Sequence, residues 1–317
     1  MDSIIKNDQS TTSIKKITFK SNGLDIAGLI YSPVHVNANH KLAPAIVVGH
    51  PGSGVKEQTA SLYATLLAER GFVALTFDAA YQGESEGTPR GLEDPAQRIE
   101  DIKSAVSFLN TVKEVNAEKI GVLGICASGG YGLTAAATDH RIKAIATVSA
   151  SDMGRQFRSG GDGKQDPGII QTMLDAAAAD RTEEGKGKEP GSFPIFPESE
   201  TQAKAMGDHV FEGWEYYCTD RGQHSRSAKT FTWNSVDRIA AFDAFRFAYL
   251  IAPRPLLMVA GSEAETLWMT KEAYEIANEP KEVFLINGAS HVALYDKEEF
   301  VSTAIFKLEE FFKSTLE

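Results

Sequence analysis

Apolar residues in this chain fall into short continuous runs that alternate with longer stretches carrying apolar residues every three or four positions. Two alternating segments, Ile14–Phe19 and Leu24–Tyr31, flank Ser21-Asn22-Gly23 and predict an opening hairpin. Pro44–Gly49 is apolar throughout, as expected of a strand buried on both faces. Glu57–Arg70 reads as a helix with Leu62, Leu66 and Leu67 on one face, stopped by Gly71, and Phe72–Phe77 as the next strand. Pro95–Val112 is a helix with Ile99, Ile102, Ala105, Val106 and Leu109 inward. A strand at Ile120–Ile125, a helix to about Asp139 and a strand at Ile142–Val148 follow. Further on, strands at Pro255–Ala260 and Val283–Ile286 enclose a helix at Lys271–Ala277, and Glu298–Phe312 closes the pattern as an amphipathic helix. This alternation predicts an α/β fold with a mostly parallel central sheet and helices on both faces. In such sheets ligands bind beyond the carboxyl ends of the strands.

Residues 151–240 break the alternation and exceed any plain loop of a compact domain. They combine Gly-rich polar tracts with Phe211, Trp214, Tyr216, Tyr217, Phe231 and Trp233. The expectation is one domain spanning 1–317 with an inserted cap at 151–240, whose aromatics, Trp233 among them, either roof the site or simply pack on the body.

The net charge of −11 and the absence of any Lys/Arg-rich run argue against a nucleic-acid partner. No apolar run approaches the ~18 residues of a membrane span, and MDSIIKNDQSTTSIKK lacks the apolar core of a signal peptide. The two cysteines, Cys126 and Cys218, cannot make a disulfide framework, so a cytoplasmic setting is expected. The seven scattered histidines give no zinc-like spacing, and nothing calls for a metal or cofactor. The sequence leaves a homo-oligomer open.

The chemistry concentrates at Lys119–Tyr131, KIGVLGICASGGY. An apolar strand runs into a turn of small residues around Cys126, and a helix opens with Gly129 and Gly130, the pattern of a nucleophile elbow. Such a turn is strained and tolerates only small neighbours. The helix start offers free N–H groups and the positive end of its dipole, which favour thiolate over thiol. Taken alone, Cys126 would as readily be a structural core cysteine.

A thiol nucleophile needs a base, a group that orients the base, and oxyanion donors. His291, in the loop after the last predicted strand, is the candidate base. Gly261–Thr266 follows the preceding strand and supplies the acid, Glu265 by preference and Glu263 as the alternative. The order Cys, Glu, His is that of a hydrolase triad. The oxyanion donors expected are the N–H groups of Ala127 and of Gly52, with Ser53 next, because Pro51 has none. His50 fits support of that loop better than the role of base. With Val55 where a phosphate-binding loop needs Lys, and glycines spaced G-x-x-G-x-G, neither a Walker nor a dinucleotide motif is present. Tyr81 and Gln82, after the strand ending at Phe77, are expected to reach the pocket, although Asp78–Ser85 also reads as a structural loop.

The set His50-Pro51-Gly52, Asp78–Ser85, Gly124–Ala127, Gly261–Thr266 and Ser290-His291-Val292, in this order, resembles the α/β-hydrolase superfamily. Within it the chain looks like the dienelactone-hydrolase-like branch, where cysteine replaces serine, and it is similar to fungal polyketide transferases and thiohydrolase-like proteins. The resemblance covers roughly Thr18–Phe312 and implies a Cys126–Glu265–His291 triad that hydrolyses a small-molecule ester, lactone or thioester through an acyl-enzyme. The rival expectations are an acyltransferase with a non-water acceptor and a non-catalytic ligand-binding member of the fold. Two departures from the family pattern stand out: Ser128 where the elbow usually has Gly, and Glu265 where Asp is commoner. A resting Cys126 thiolate paired with a protonated His291 is the further expectation.

Overall fold

A computed structural model describes residues 12–34 and 42–317, so the first eleven residues of the stretch read above for a leader lie outside the described residues. Strands β1 (Thr12–Ser21) and β2 (Leu24–Pro33) form the predicted hairpin, with Asn22 and Gly23 both at positive φ in its turn. Then come β3 (Ala43–Gly49), α1 (Thr59–Ala68), β4 (Val73–Phe77), α2 (Pro95–Leu109), β5 (Val115–Ile125), α3 (Ala127–Thr138) and β6 (Ile142–Val148). The irregular interval holds α4 (Met153–Ser159), α5 (Pro167–Glu184), β7 (Ser192–Pro194), α6 (Glu200–Ala205), α7 (Asp208–Cys218), β8 (Thr230–Thr232) and α8 (Val236–Ala240). The chain then returns to the sheet with β9 (Leu256–Gly261), α9 (Leu267–Ile276), β10 (Lys281–Ile286), α10 (Ala293–Asp296) and α11 (Glu298–Leu316).

The main sheet has the order β1-β2-β4-β3-β5-β6-β9-β10. Only the β1–β2 and β2–β4 pairings are antiparallel, and from β4 to β10 every neighbour is parallel. Side chains alternate between faces, which explains the continuous apolar runs. Ala45, Val47 and Val122 enter the core beneath α2 and α3, whereas Ile46, Val48 and Leu123 enter the core beneath α1 and α11. Among the described residues no helix is long and apolar enough to cross a membrane.

Several boundaries differ from the sequence reading, β5 starting at Val115 and α2 ending at Leu109 among them, and two have a clear packing cause. Helix α9 starts at Leu267, one turn before Lys271, because Met269, Thr270 and Ala273 share its buried face. Helix α11 continues to Leu316, since Phe312 and Leu316 fill the space left by the missing side chain of Gly121.

The parallel strands bring Gly49, Ile125, Val148, Gly261 and Ile286 to one edge of the sheet, where the loops carrying His50, Cys126, Thr266 and His291 meet. Gly124 is indispensable to this meeting, because a Cβ there would lie 2.1 Å from the Ser128 carbonyl oxygen. Gly124→Ala should therefore destabilise the protein by about 3 kcal/mol, the overpacking range, measured as a fall in the urea midpoint at unchanged m. A midpoint within error of the parent would show that the strand-to-helix junction yields.

Candidate active site

Cys126 stands between β5 and α3 with φ 53° and ψ −117°, a left-handed conformation forced on a non-glycine residue. The strain is held by the ladder around it: Cys126 N–H donates to Val148 O at 3.0 Å, and the Cys126 carbonyl accepts from Gly129 N–H and Ser151 N–H. The residue keeps partial exposure and lines a cavity. The backbone N–H groups of Gly52 and Ala127 both act on its sulfur, favouring the charged form, so the two expected oxyanion donors are directed at one side chain.

The loop that carries Gly52 is fixed from behind. The His50 Nδ1–H donates to Pro51 O at 2.6 Å, and its Nε2 accepts from Ala79 N–H at 3.1 Å. The Arg98 guanidinium, buried on α2, donates to His50 O at 2.9 Å and to Ser128 Oγ at 3.1 Å, and Ser128 donates in turn to His50 O at 2.5 Å. Glu93, fully buried, supplies the counter-charge 3.5 Å from Arg98 Nε and also accepts from Tyr131 and Gln82. Burial and the Arg98 charge keep His50 neutral, with its pKa well below the usual histidine value. His50 thus braces the loop that carries Gly52, and Ser128 points into that support rather than into the cavity.

His291 is buried in the same cavity as Cys126. Its Nδ1 lies 2.5 Å from Thr266 Oγ1 and its Nε2 3.1 Å from the Tyr295 hydroxyl. The carboxylates expected to orient it are elsewhere. Glu265 accepts from the backbone N–H of His209 at 3.3 Å, and Glu263 pairs with Ser262. The reason is local geometry: in the turn before α9, Ala264 and Thr266 face inward while Glu263 and Glu265 face solvent. A carboxylate at the Thr266 position, which is 1% exposed, would bear the full cost of desolvation. Both glutamates instead line a second cavity of about 470 Å³ with Asp208, Glu212 and Glu215, on the outer side of His291.

The inner cavity, about 170 Å³, is roofed by Phe157, Ile195, Phe196, Val210, Tyr217 and Phe231 over Cys126, Met153, Tyr295 and His291. The Tyr217 hydroxyl is buried there with no hydrogen-bond partner among the described residues. His209, from the first turn of α7, lines both cavities, its ring edge-on to His291 at 5.0 Å. Other expected lining residues are placed differently. Trp233 packs on Phe193 at 4.6 Å and on the α5 side, because its backbone is tied to Gly191. Tyr81 and Gln82 border a separate cavity with Arg90 and Thr230, and the Gln82 amide is spent on Glu93. Sequence reasoning missed Thr266, Tyr295 and His209. Of these, only Tyr295 carried a signal, lying four residues after His291 and so one helical turn away.

Electrostatically the site is neutral. Burial pushes the Cys126 thiol up despite the neighbouring Tyr295 hydroxyl, the Ala127 and Gly52 N–H groups and the nearby Arg98 charge. Burial, and next the His209 ring, push His291 well below the usual histidine value. The expected thiolate–imidazolium pair is therefore disfavoured at rest, as burial penalises both charged forms. Among the described residues no group of side chains could hold a metal ion.

A strained elbow at a strand end, two N–H donors aimed at its side chain and a buried histidine from the last loop make this a protein of the α/β-hydrolase fold, as solved structures agree. The crystal structure of hypothetical protein PA2218 from Pseudomonas aeruginosa superposes with a TM-score of 0.90 at 34% identity, covering 98% of this chain and 96% of that one. The chain belongs to the X-Pro dipeptidyl-peptidase (S15) family, whose model matches residues 22–292. It is also 38% identical over 305 residues to the uncharacterized protein YcjY of Escherichia coli K12, covering 95% of this chain and 99% of that one. A more distant relative is thiohydrolase aneE of Aspergillus aculeatus, 30% identical over 62% of this chain and 58% of its own length.

The neutral site has a measurable signature. Iodoacetamide should alkylate Cys126 with a pH midpoint above about 8.5, the free-thiol value, little changed by His291→Ala. Fast modification of Cys126 at pH 6, lost in His291→Ala, would restore the ion pair.

Proposed function

We propose that the protein is an acyl-transferring hydrolase that takes a small-molecule ester, lactone or thioester through an acyl-enzyme at Cys126, as in the dienelactone-hydrolase-like branch. The observation that carries this reading is the convergence of the Gly52 and Ala127 N–H groups on the sulfur, in a cavity shared with His291. The sulfur attacks the substrate carbonyl carbon, the thiol proton passes to His291, and the two N–H groups hold the oxyanion. Collapse of the tetrahedral intermediate expels the alcohol or thiol, which recovers the proton from the imidazolium. Water then attacks the thioester of Cys126 by the same steps and releases the acid. Thr266 takes the part expected of Glu265: accepting the Nδ1 proton, it leaves the Nε2 lone pair toward the reacting groups. Residues 151–240 act as a cap whose apolar side chains receive the acyl group.

Transfer to an amine or alcohol is the second reading, favoured by the roofed and mostly apolar inner cavity, which restricts water around the acyl-enzyme. The name of the fungal thiohydrolase supports thioesters as one class to test. The deciding experiment is intact-protein mass after mixing with acyl thioesters, short p-nitrophenyl esters and lactones, with and without an added amine or alcohol. An acyl adduct confined to Cys126 is expected, and its absence across all three classes sinks the acyl-enzyme reading.

Two substitution series follow. Cys126→Ala should abolish both adduct and turnover in a folded protein, whereas Ser128→Ala, which removes a brace behind the oxyanion loop, should cost no more than about tenfold. The reverse ranking would move the nucleophile to Ser128. Thr266→Val should lower kcat by about tenfold, the worth of one hydrogen bond, while Glu265→Gln stays within about twofold of the parent. A large loss in Glu265→Gln alone would return the orienting role to that carboxylate.

A further inference from the structure

Among the described residues no hydrogen bond joins Cys126 to His291. The Tyr295 hydroxyl is 3.1 Å from His291 Nε2, lines the cavity that holds both residues, and acts electrostatically on the Cys126 sulfur. Resting on the acyl-enzyme reading above, we propose that Tyr295 is a catalytic residue that relays the thiol proton to His291.

In the His291 tautomer protonated at Nδ1 the hydrogen bonds make a continuous wire. With Nδ1–H donated to Thr266 Oγ1 at 2.5 Å, Nε2 is left as an acceptor facing the Tyr295 O–H. The phenol oxygen then has lone pairs free to accept from the thiol. As the S–C bond to the substrate forms, the S–H proton moves to the Tyr295 oxygen and the Tyr295 proton moves to Nε2. The carbonyl π pair goes to the oxyanion between Gly52 and Ala127. Tyr295 is neutral before and after, and the imidazolium proton returns along the same path to the leaving oxygen or sulfur. No tyrosinate accumulates, which suits a phenol that burial holds far above its usual pKa.

The relay is also pre-positioned. Tyr295 O accepts from Thr59 Oγ1 at 3.0 Å, and the ring sits edge-on to Tyr216 at 5.2 Å, whose hydroxyl accepts from Thr59 N–H at 3.1 Å. The other ionisable groups facing the chain are Tyr216 and Tyr217 beside the phenol, His209 beside the imidazole and Arg98 near the sulfur. No carboxylate is among them. The Tyr295 phenol can accept and donate a proton at once without becoming charged.

The test is Tyr295→Phe, which keeps the ring and removes only the oxygen, assayed on a substrate that acylates the parent protein. We expect kcat to fall about 10²-fold with KM nearly unchanged, the low end for losing a positioned acid–base group. The proton inventory in H2O/D2O mixtures should pass from a curved, two-proton dependence to a linear one. A variant that acylates within about twofold of the parent, with the curvature intact, overturns the relay while leaving Cys126 and His291 in place. A parent protein that forms no adduct fails the acyl-enzyme reading instead. Should Tyr295→Phe not fold by circular dichroism, site-specific fluorotyrosine at 295 gives the same decision: a changed kcat and inventory are expected from the more acidic phenol, and unchanged values overturn the relay.

Discussion

A single guanidinium under the sheet edge ties the site together. Arg98 reaches from α2 to the His50 carbonyl on one side and the Ser128 hydroxyl on the other, so it joins the loop after β3 to the first turn of α3. Those are the two segments whose N–H groups meet at Cys126. A buried cation is costly, and Glu93 alone at 3.5 Å does not offset it; the carbonyl, the hydroxyl and the neutral His50 ring complete the solvation that water would supply. Because each partner also has a second attachment, none can shift without stranding a charge. The oxyanion geometry is thereby set by an arrangement formed during folding, before any substrate arrives.

That arrangement also explains the neutral resting site. A fixed positive charge near the sulfur and the donors around it would favour a thiolate, yet burial outweighs them. On the other side His291 faces a hydroxyl at each nitrogen and a second histidine edge-on. An imidazolium there lacks the carboxylate that a hydrolase triad supplies at Nδ1. On the proposed mechanism, charge appears only during reaction, when the oxyanion and the imidazolium form together and stabilise one another.

Much of this was legible in the chain. Continuous apolar runs announced strands buried on both faces, and Gly124, Cys126 and Gly129 announced the elbow, because that turn admits so few residue types. His291 was legible from its position after the last strand. The partner of His291 was not, since Glu263, Glu265 and Thr266 share one turn and only its twist decides which side chains face inward. The charge-bearing residues drew attention, and the buried one was a threonine with no titratable signal. Trp233 failed for a related reason: aromatic content marked the insertion, but backbone pairing with Gly191 decided which aromatics face Cys126. His209 became visible only once α7 was laid across the site.

The cap is bonded to the catalytic loop itself as well as to the body. Ala228 N–H donates to Ser53 O at 3.1 Å, Gln58 donates to Gly222 O at 2.6 Å, and Arg221 pairs with Asp296 one residue beyond Tyr295. The seat of the cap and the seat of the oxyanion donors are in this sense one structure. Whatever lifts the cap takes hydrogen bonds from the segment that presents Gly52, and whatever steadies that segment holds the cap down. Such coupling is reciprocal: on the proposed reading, an acyl group filling the apolar roof and an oxyanion filling the donor site would each raise the affinity for the other. Selectivity for the acyl chain would then surface as a difference in turnover rather than in binding.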